Sequence, residues 1–251
     1  MTTARGKSAR PKRQRLDELL VERGLAPSRS KAQALILARE VRVNGDVALR
    51  AAAPVAPDAA LDVAQPPRFV SRGGEKLDHA LARSGIDVSG TRCLDVGAST
   101  GGFTDCLLQH GASYVIAVDV GYGELATRLR DDSRVDVRER TNARSLEPLA
   151  PLVDLITIDV AFIGLTTVLP AVLLSLRAGG DVLALVKPQF EAGRAQVQKG
   201  GVIHDANVHA QTVARVALWA IEHGLRVRGV IRSPLIGPAG NREFFLWLRR
   251  D

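Results

Sequence analysis

Apolar positions recur along this chain in two successive regimes. Near the amino end, Leu16, Leu19 and Leu20 stand at helical spacing, with Gly24 as a plausible stop. Ala32, Leu35 and Ile36 repeat the pattern after Ser28, a residue suited to capping a helix. Val41 and Val43 then alternate with Arg42, Asn44-Gly45 supplies a tight hairpin turn, and Val47 and Leu49 alternate on the return. Two short helices and a hairpin are predicted, with Arg15, Arg29, Lys31, Arg39 and Arg42 left facing outward. The next stretch, "AAAPVAPDAALDVAQPP", is rich in Ala and Pro and reads as a linker. One strand over 60–63 is expected in it, and Pro66-Pro67 ends it.

From residue 90 the regime changes. Apolar strands over 93–96, 114–118, 135–138, 155–158, 182–186, 226–231 and 244–248 alternate with helical segments. That alternation predicts an α/β fold, a parallel sheet with helices on both faces, whose ligands bind beyond the carboxyl ends of the strands. Asp95, Asp119, Asp159 and Lys187 each come at the end of an apolar run, so a site is expected on that edge. In "CLDVGASTGGFTDCLLQHG" a strand runs into a glycine-rich turn and then a helix beginning near Phe103. Such a loop presents backbone N–H groups and a helix N-terminus to whatever binds there.

A chain of 251 residues has room for a large domain and a small one. The expected division is a basic disordered tail at 1–14, a small α+β domain at 15–65 and the α/β body at 66–251. Charge sharpens this picture. Residues 1–50 hold 12 Lys or Arg against 5 Asp or Glu, whereas the remainder is balanced at 22 against 22. A basic block tied to one small segment points to a polyanion-binding module joined to a neutral body. Aromatic residues are not interleaved with the basic ones, which favours phosphate contacts on folded RNA over stacking on single-stranded bases. Cys93 and Cys106 read as small buried hydrophobes, with no metal site and no disulfide framework. The start "MTTARGKSARPKRQR" is basic with no apolar stretch behind it, so a cytoplasmic protein without stable membrane association is expected. The uncharged run 160–176 falls short of the roughly 20 residues a spanning helix needs and holds Gly164 and Pro170.

A dinucleotide, a nucleoside-containing methyl donor or no ligand could correspond to such a loop, and its glycine spacing favours the second. "DVGASTGG" is not the G-x-G-x-x-G of a dinucleotide site, and it carries an acid on the entering strand. S-adenosylmethionine fits, having no phosphate, an ammonium group and a sulfonium. Asp119, at the end of the second strand, would hold its ribose hydroxyls, as an acid does in dinucleotide folds. The candidate cofactor residues are Asp95, Gly97, Ser99, Gly101, Phe103, Asp119 and Asn142. The position after the fourth strand reads "DVAF" rather than the Asn/Asp-Pro-Pro-aromatic motif of amine methylation. Neither cysteine is placed at a strand end as carbon methylation would need. A hydroxyl acceptor needs something else, to be held in line and relieved of its proton, and lysine and carboxylate neighbours can do both; methylation of another RNA atom is the weaker alternative.

Two resemblances extend the reading. "SRSKAQALILAREVRVNG" resembles the small RNA-binding domain first described in a ribosomal small-subunit protein, a family that binds structured RNA. "SRGGEKL", "DVAF", "KPQFE" and "GNREFFLWL" resemble the TlyA family of ribosomal-RNA ribose methyltransferases, often labelled hemolysins, which share a Rossmann-like catalytic domain with FtsJ-like enzymes. That likeness covers nearly the whole chain from Arg15. It implies a Lys-Asp-Lys-Glu set around the acceptor 2′-hydroxyl at Lys76, Asp159, Lys187 and Glu243, ribosomal subunits as partners, and cytidine as the target. Lys187 would accept or polarise the hydroxyl proton, Asp159 and Glu243 would orient it, and Lys76 would fix the acceptor. Serines common in the family are replaced here by Ala161 and Gly164.

Overall fold

The computed structural model describes residues 13–64, 67–193, 200–237 and 239–251. The chain divides into two compact units, residues 1–66 and 67–251. Most of the basic tail, and the boundary expected at Gln65, lie outside the described residues.

In the first unit, β1 (Gln14–Arg15) leads into α1 (Leu16–Glu22), followed by α2 (Arg29–Leu37). The two helices meet through Leu16, Leu19, Leu20, Ala32, Leu35 and Ile36. Ser28 caps α2, its Oγ accepting from the Lys31 N–H at 3.2 Å. The strands β2 (Val41–Val43) and β3 (Asp46–Val47) form the hairpin, with β4 (Pro54–Val55) and β5 (Leu61–Val63) beyond it.

Three expectations are corrected in this unit. The return strand does not bury Val47 and Leu49; Ala48 is buried instead, and Leu49 is 71% exposed. Val47 pairs with Arg42 across the hairpin, and cross-strand partners share a face, so the turn register sends Val47 outward with the arginine. The Ala/Pro-rich stretch is not a linker. Pro54–Val55 pairs with Gln14–Arg15, Leu61–Val63 pairs with Val41–Val43, and Val55 and Ala59 enter the core. The strand expected over 60–63 is present as β5, whereas a two-residue strand with a proline at a sheet edge, as in β4, leaves no periodic signal. Gln14, assigned to the tail by sequence, is therefore already in a strand.

In the second unit, chain order runs α3 (Arg72–Ser84), β6 (Arg92–Val96), α4 (Gly102–Gln109), β7 (Tyr114–Val118), α5 (Thr127–Arg130), β8 (Val135–Arg138), β9 (Val153–Ile158) and α6 (Leu165–Val172). It continues through β10 (Leu176–Val186), α7 (Pro188–Glu191), α8 (Ala206–Glu222), β11 (Leu225–Arg232) and β12 (Phe244–Arg250). Among the described residues seven strands form one sheet in the order β11-β12-β10-β9-β6-β7-β8. Alternate residues of each strand feed two cores, as the period of a strand requires. Leu94, Ile116, Ile156 and Val182 lie in the core that includes residues of α6 and α8, while Cys93, Val115, Leu155 and Leu183 lie in the one that includes residues of α3 and α4.

The sheet is not wholly parallel. Strand β12 enters antiparallel between β10 and β11. Apolar alternation gives a strand no direction, so the sequence could not show this. The inversion places the start of β12 at the carboxyl edge of the parallel strands, because Phe244 pairs with Val186.

Candidate active site

Strand register builds the site. Val96 pairs with both Val118 and Ile158, and Ile158 with Ala184, so Gly97, Asp119 and Asp159 leave adjacent strands side by side. Lys187 follows Val186, and Glu243 immediately precedes Phe244 on the neighbouring antiparallel strand. Gly97 adopts φ 84°, and a Cβ there would stand 2.5 Å from the Asp159 carbonyl oxygen, so the loop can turn across β9 only without a side chain. Helix α3 also approaches the start of α4 closely. A Cβ on Gly102 would lie 2.9 Å from the Gly74 nitrogen, and this approach carries Lys76 to the edge of the sheet.

Two cavities open there. The first, about 590 Å³, is lined by Gly97, Ser99, Asp119, Glu124, Asn142 and Asp159 among others. The Asp119 carboxylate accepts from the Ser99 N–H at 2.8 Å and the Gly121 N–H at 2.7 Å, which fixes it against the glycine loop. Ser99 Oγ donates to Glu124 at 2.9 Å. Glu124, a second carboxylate on this cavity, was not singled out from sequence, since it lies in a turn that no apolar run frames. The second cavity, about 430 Å³, is lined by Lys76, Phe103, Asp159, Lys187 and Glu243, so the four residues implied by family resemblance come together. They form two ion pairs, Lys187 Nζ to Asp159 Oδ1 at 2.5 Å and Lys76 Nζ to Glu243 Oε2 at 2.7 Å, the latter buried. Gly97, Ser99, Asp159 and Ala161 line both cavities. Phe162 stands at the lip with φ 64° and 90% exposure, its ring 5.0 Å from that of Phe190. An exposed aromatic in a left-handed conformation is the sort of strain that functional sites retain.

Two expected cofactor residues lie outside these cavities, and a third, Phe103, lines only the second. Asp95 is fully buried one residue before the end of β6, accepting from Thr104 Oγ1 at 2.7 Å and Thr157 Oγ1 at 3.0 Å. Strand parity turns it toward α4, and burial pushes its carboxyl up to about 6 against the pull of the two hydroxyls. Gly101 lies under the start of α4, where a Cβ would meet Leu129 and Leu125. Both residues shape the loop from beneath.

In the first unit the five expected RNA-binding residues are all at least partly exposed. Arg15 and Arg29 converge on Asp17, which is buried and also accepts from Gln33 Nε2 at 2.9 Å. The guanidinium of Arg15, together with Gln33 and Arg29, holds the Asp17 carboxyl well below the usual carboxylate range against the cost of burial. Asp17 thus fixes two arginines that sequence presented as free. Lys31 and Arg39 are exposed, and Arg42 donates to the Gly45 carbonyl at 3.0 Å.

Residues 69–250 match the family described as FtsJ-like methyltransferase, and residues 14–61 match the S4 domain. The 16S/23S rRNA (cytidine-2′-O)-methyltransferase TlyA of Mycobacterium tuberculosis is 51% identical over 242 residues, 95% of this chain and 90% of that one. Hemolysin A of Brachyspira hyodysenteriae is 40% identical over 92% of this chain and 97% of its own. A solved chain from Streptococcus thermophilus that carries a provisional hemolysin name superposes with a TM-score of 0.72 at 40% identity, covering 96% of this chain and 90% of that one. Since the family match spans the whole sheet and these relatives align along nearly the full chain, the protein belongs to the FtsJ-like methyltransferase family and, within it, to the TlyA group.

Proposed function

We propose that this protein transfers a methyl group from S-adenosylmethionine to the 2′-hydroxyl of a cytidine ribose in ribosomal RNA. The observation that carries the reading is the wall shared by the two cavities, with two carboxylates on one side and the Lys-Asp-Lys-Glu set on the other. The first cavity has a volume ordinary for a small-molecule site. Its Asp119 and Glu124 suit a ligand with an ammonium group, a sulfonium and ribose hydroxyls, so the residues fit the donor. When bound, S-adenosylmethionine supplies an electrophilic methyl group.

The remaining work belongs to the chain. Asp159, common to both cavities, accepts a hydrogen bond from the incoming hydroxyl and sets its oxygen toward the shared wall. Lys187, held against Asp159, polarises that oxygen, whose proton passes to the Asp159 carboxylate and from there to water as the new O–CH3 bond forms. Glu243 fixes Lys76, whose ammonium anchors the acceptor ribose or its phosphate. Ion pairs in such a partly desolvated cleft act with fixed geometry, so little reorganisation is needed as charge develops. The exposed ring of Phe162 offers a face on which an unstacked base can rest.

In this reading residues 15–65 hold ribosomal RNA, residues 66–251 perform the chemistry, and the protein works on ribosomal subunits in the cytoplasm. The names TlyA and S4 domain among its matches support the RNA substrate. Among the described residues no helix is long and apolar enough to cross a membrane, so the hemolysin label finds no spanning segment there.

Lys187→Ala and Asp159→Ala should each lower turnover on ribosomal subunits by roughly 100-fold or more while the melting transition persists. Near-normal turnover in folded Lys187→Ala protein would remove that residue from the mechanism. Calorimetry on Asp119→Ala should show donor affinity at least tenfold weaker, and an unchanged value would place the donor elsewhere.

A further inference from the structure

A third cleft, about 570 Å³, lies between α3 and the edge strand β11, apart from the two cavities above. Its lining includes His79, Arg83, Arg228, Arg232 and Trp247, and among the described residues no acidic side chain faces it. Eight of the eighteen described arginines of this unit are neutralised: Arg68, Arg128, Arg130, Arg134, Arg138, Arg177, Arg226 and Arg249 each pair with a carboxylate. Arg83, Arg228 and Arg232 are exposed, and among the described residues none of them pairs with a carboxylate. Like charges gathered without counter-charge repel one another, so an anionic ligand would be favoured there. Arg228 also lies 5.5 Å over the Trp247 ring, which is anchored by its Nε1–H to Asp181 at 2.8 Å.

Helix α3 joins this cleft to the acceptor cavity. Arg72 and Lys76 line the acceptor cavity, and His79 and Arg83 line the third cleft. The four follow one another at spacings of four, three and four, which places them on one stripe of the helix. Between Lys76 and Arg83 the helix rises about 10 Å, roughly three nucleotides of a stacked strand at 3.4 Å each.

We propose that this cleft is a second RNA-binding surface, one that takes the sugar-phosphate backbone a few nucleotides away from the methylated ribose. It rests on the proposed RNA ribose methylation and adds to it a contact that the charge balance of the body conceals. Arginine forks match phosphate oxygens bidentately, and an exposed, unpaired guanidinium is ready to do so without breaking an existing ion pair. The stripe on α3 sets the direction of the strand, from the acceptor cleft toward β11.

The test uses the full chain carrying Arg228→Gln and Arg232→Gln together, with a second variant, Arg228→Lys and Arg232→Lys, to restore charge. Methylation is measured on ribosomal subunits and on naked rRNA fragments, and RNA binding is titrated across salt. The Gln variant should raise KM for both substrates about tenfold, leave kcat within twofold, and keep the donor affinity of the unaltered protein. The slope of log affinity against log salt should flatten by roughly 1–2, and the Lys variant should recover most of it. Unchanged KM and salt slope would overturn the proposal. A loss confined to intact subunits, with naked rRNA unaffected, would overturn it too and assign the cleft to an acidic ribosomal protein. Unaltered protein that fails to methylate RNA at all would instead reject the underlying methyltransferase reading, so the two failures are distinguishable.

Discussion

Asp95 and Asp119 show how one residue's place in a strand decides its task. Both end apolar runs and looked alike in sequence, yet Asp119 sits past its strand on the first cavity while Asp95 faces the interior of the fold. Its carboxyl, raised from 3.8 to about 6, carries a definite pH signature. Because the folded state binds the proton more tightly than the unfolded chain, the contribution to stability is fully present below pH 3.8 and is lost as pH rises through about 6. The difference corresponds to a penalty on the order of 3 kcal/mol at neutral pH. Asp95→Asn keeps the shape and removes the charge. Its melting temperature relative to the unaltered protein should therefore climb between pH 4 and pH 7, and donor binding should survive. A constant difference across that range, followed by calorimetry or circular dichroism, would mean that Asp95 is not held in a charge-averse site.

At the scale of elements, the glycine loop between β6 and α4 is the part with least freedom to vary. Gly97→Ala forces a side chain into a left-handed position and against the Asp159 carbonyl, so it should cost several kcal/mol by strain and steric displacement and weaken donor binding at least tenfold. Gly123 also has positive φ, at 75°, but has nothing within 4 Å of its added Cβ. Gly123→Ala should therefore cost only roughly 1–2 kcal/mol and leave donor affinity intact. Equal losses from both changes would deny the loop its special role. The same elements show what sequence can encode. The apolar run 114–118 matched its strand to the residue, because burial on both faces leaves no competing periodicity, and 135–138, a half-buried edge strand in which Val alternates with Asp and Arg, matched through that alternation. The direction of β12 was not legible, since it depends on a crossover far along the chain, and Val47 was misplaced because one step of register inverts a strand's faces. Glu124, and the partners that Asp17 gathers, were likewise hidden: their significance lies in neighbours brought up by the fold, and no local pattern announces them.

For the whole molecule, charge and chemistry are divided along the chain. The excess of seven positive charges falls within residues 1–50, whereas the remainder balances. A balanced body has little long-range pull on RNA, whose affinity for proteins rests on phosphate neutralisation and falls steeply with salt. Residues 67–251 form a compact unit with its own two cores and contain every residue of both cavities. A chain beginning near Pro67 should fold, bind S-adenosylmethionine as the full protein does, and lose most of its affinity for rRNA and most of its turnover on subunits at moderate salt. Much of the RNA affinity it retains should come from the cleft beside β11, and should fall about tenfold when Arg228 and Arg232 are both changed to Gln, as KM does in the full chain. In the full chain, Arg29→Ala with Lys31→Ala should flatten the salt dependence of RNA binding by roughly 1–2 in log-log slope, without altering donor affinity. If the shortened body methylates subunits as fast as the whole chain, the basic amino-terminal unit is not the recognition module, and the uneven distribution of charge requires a different explanation.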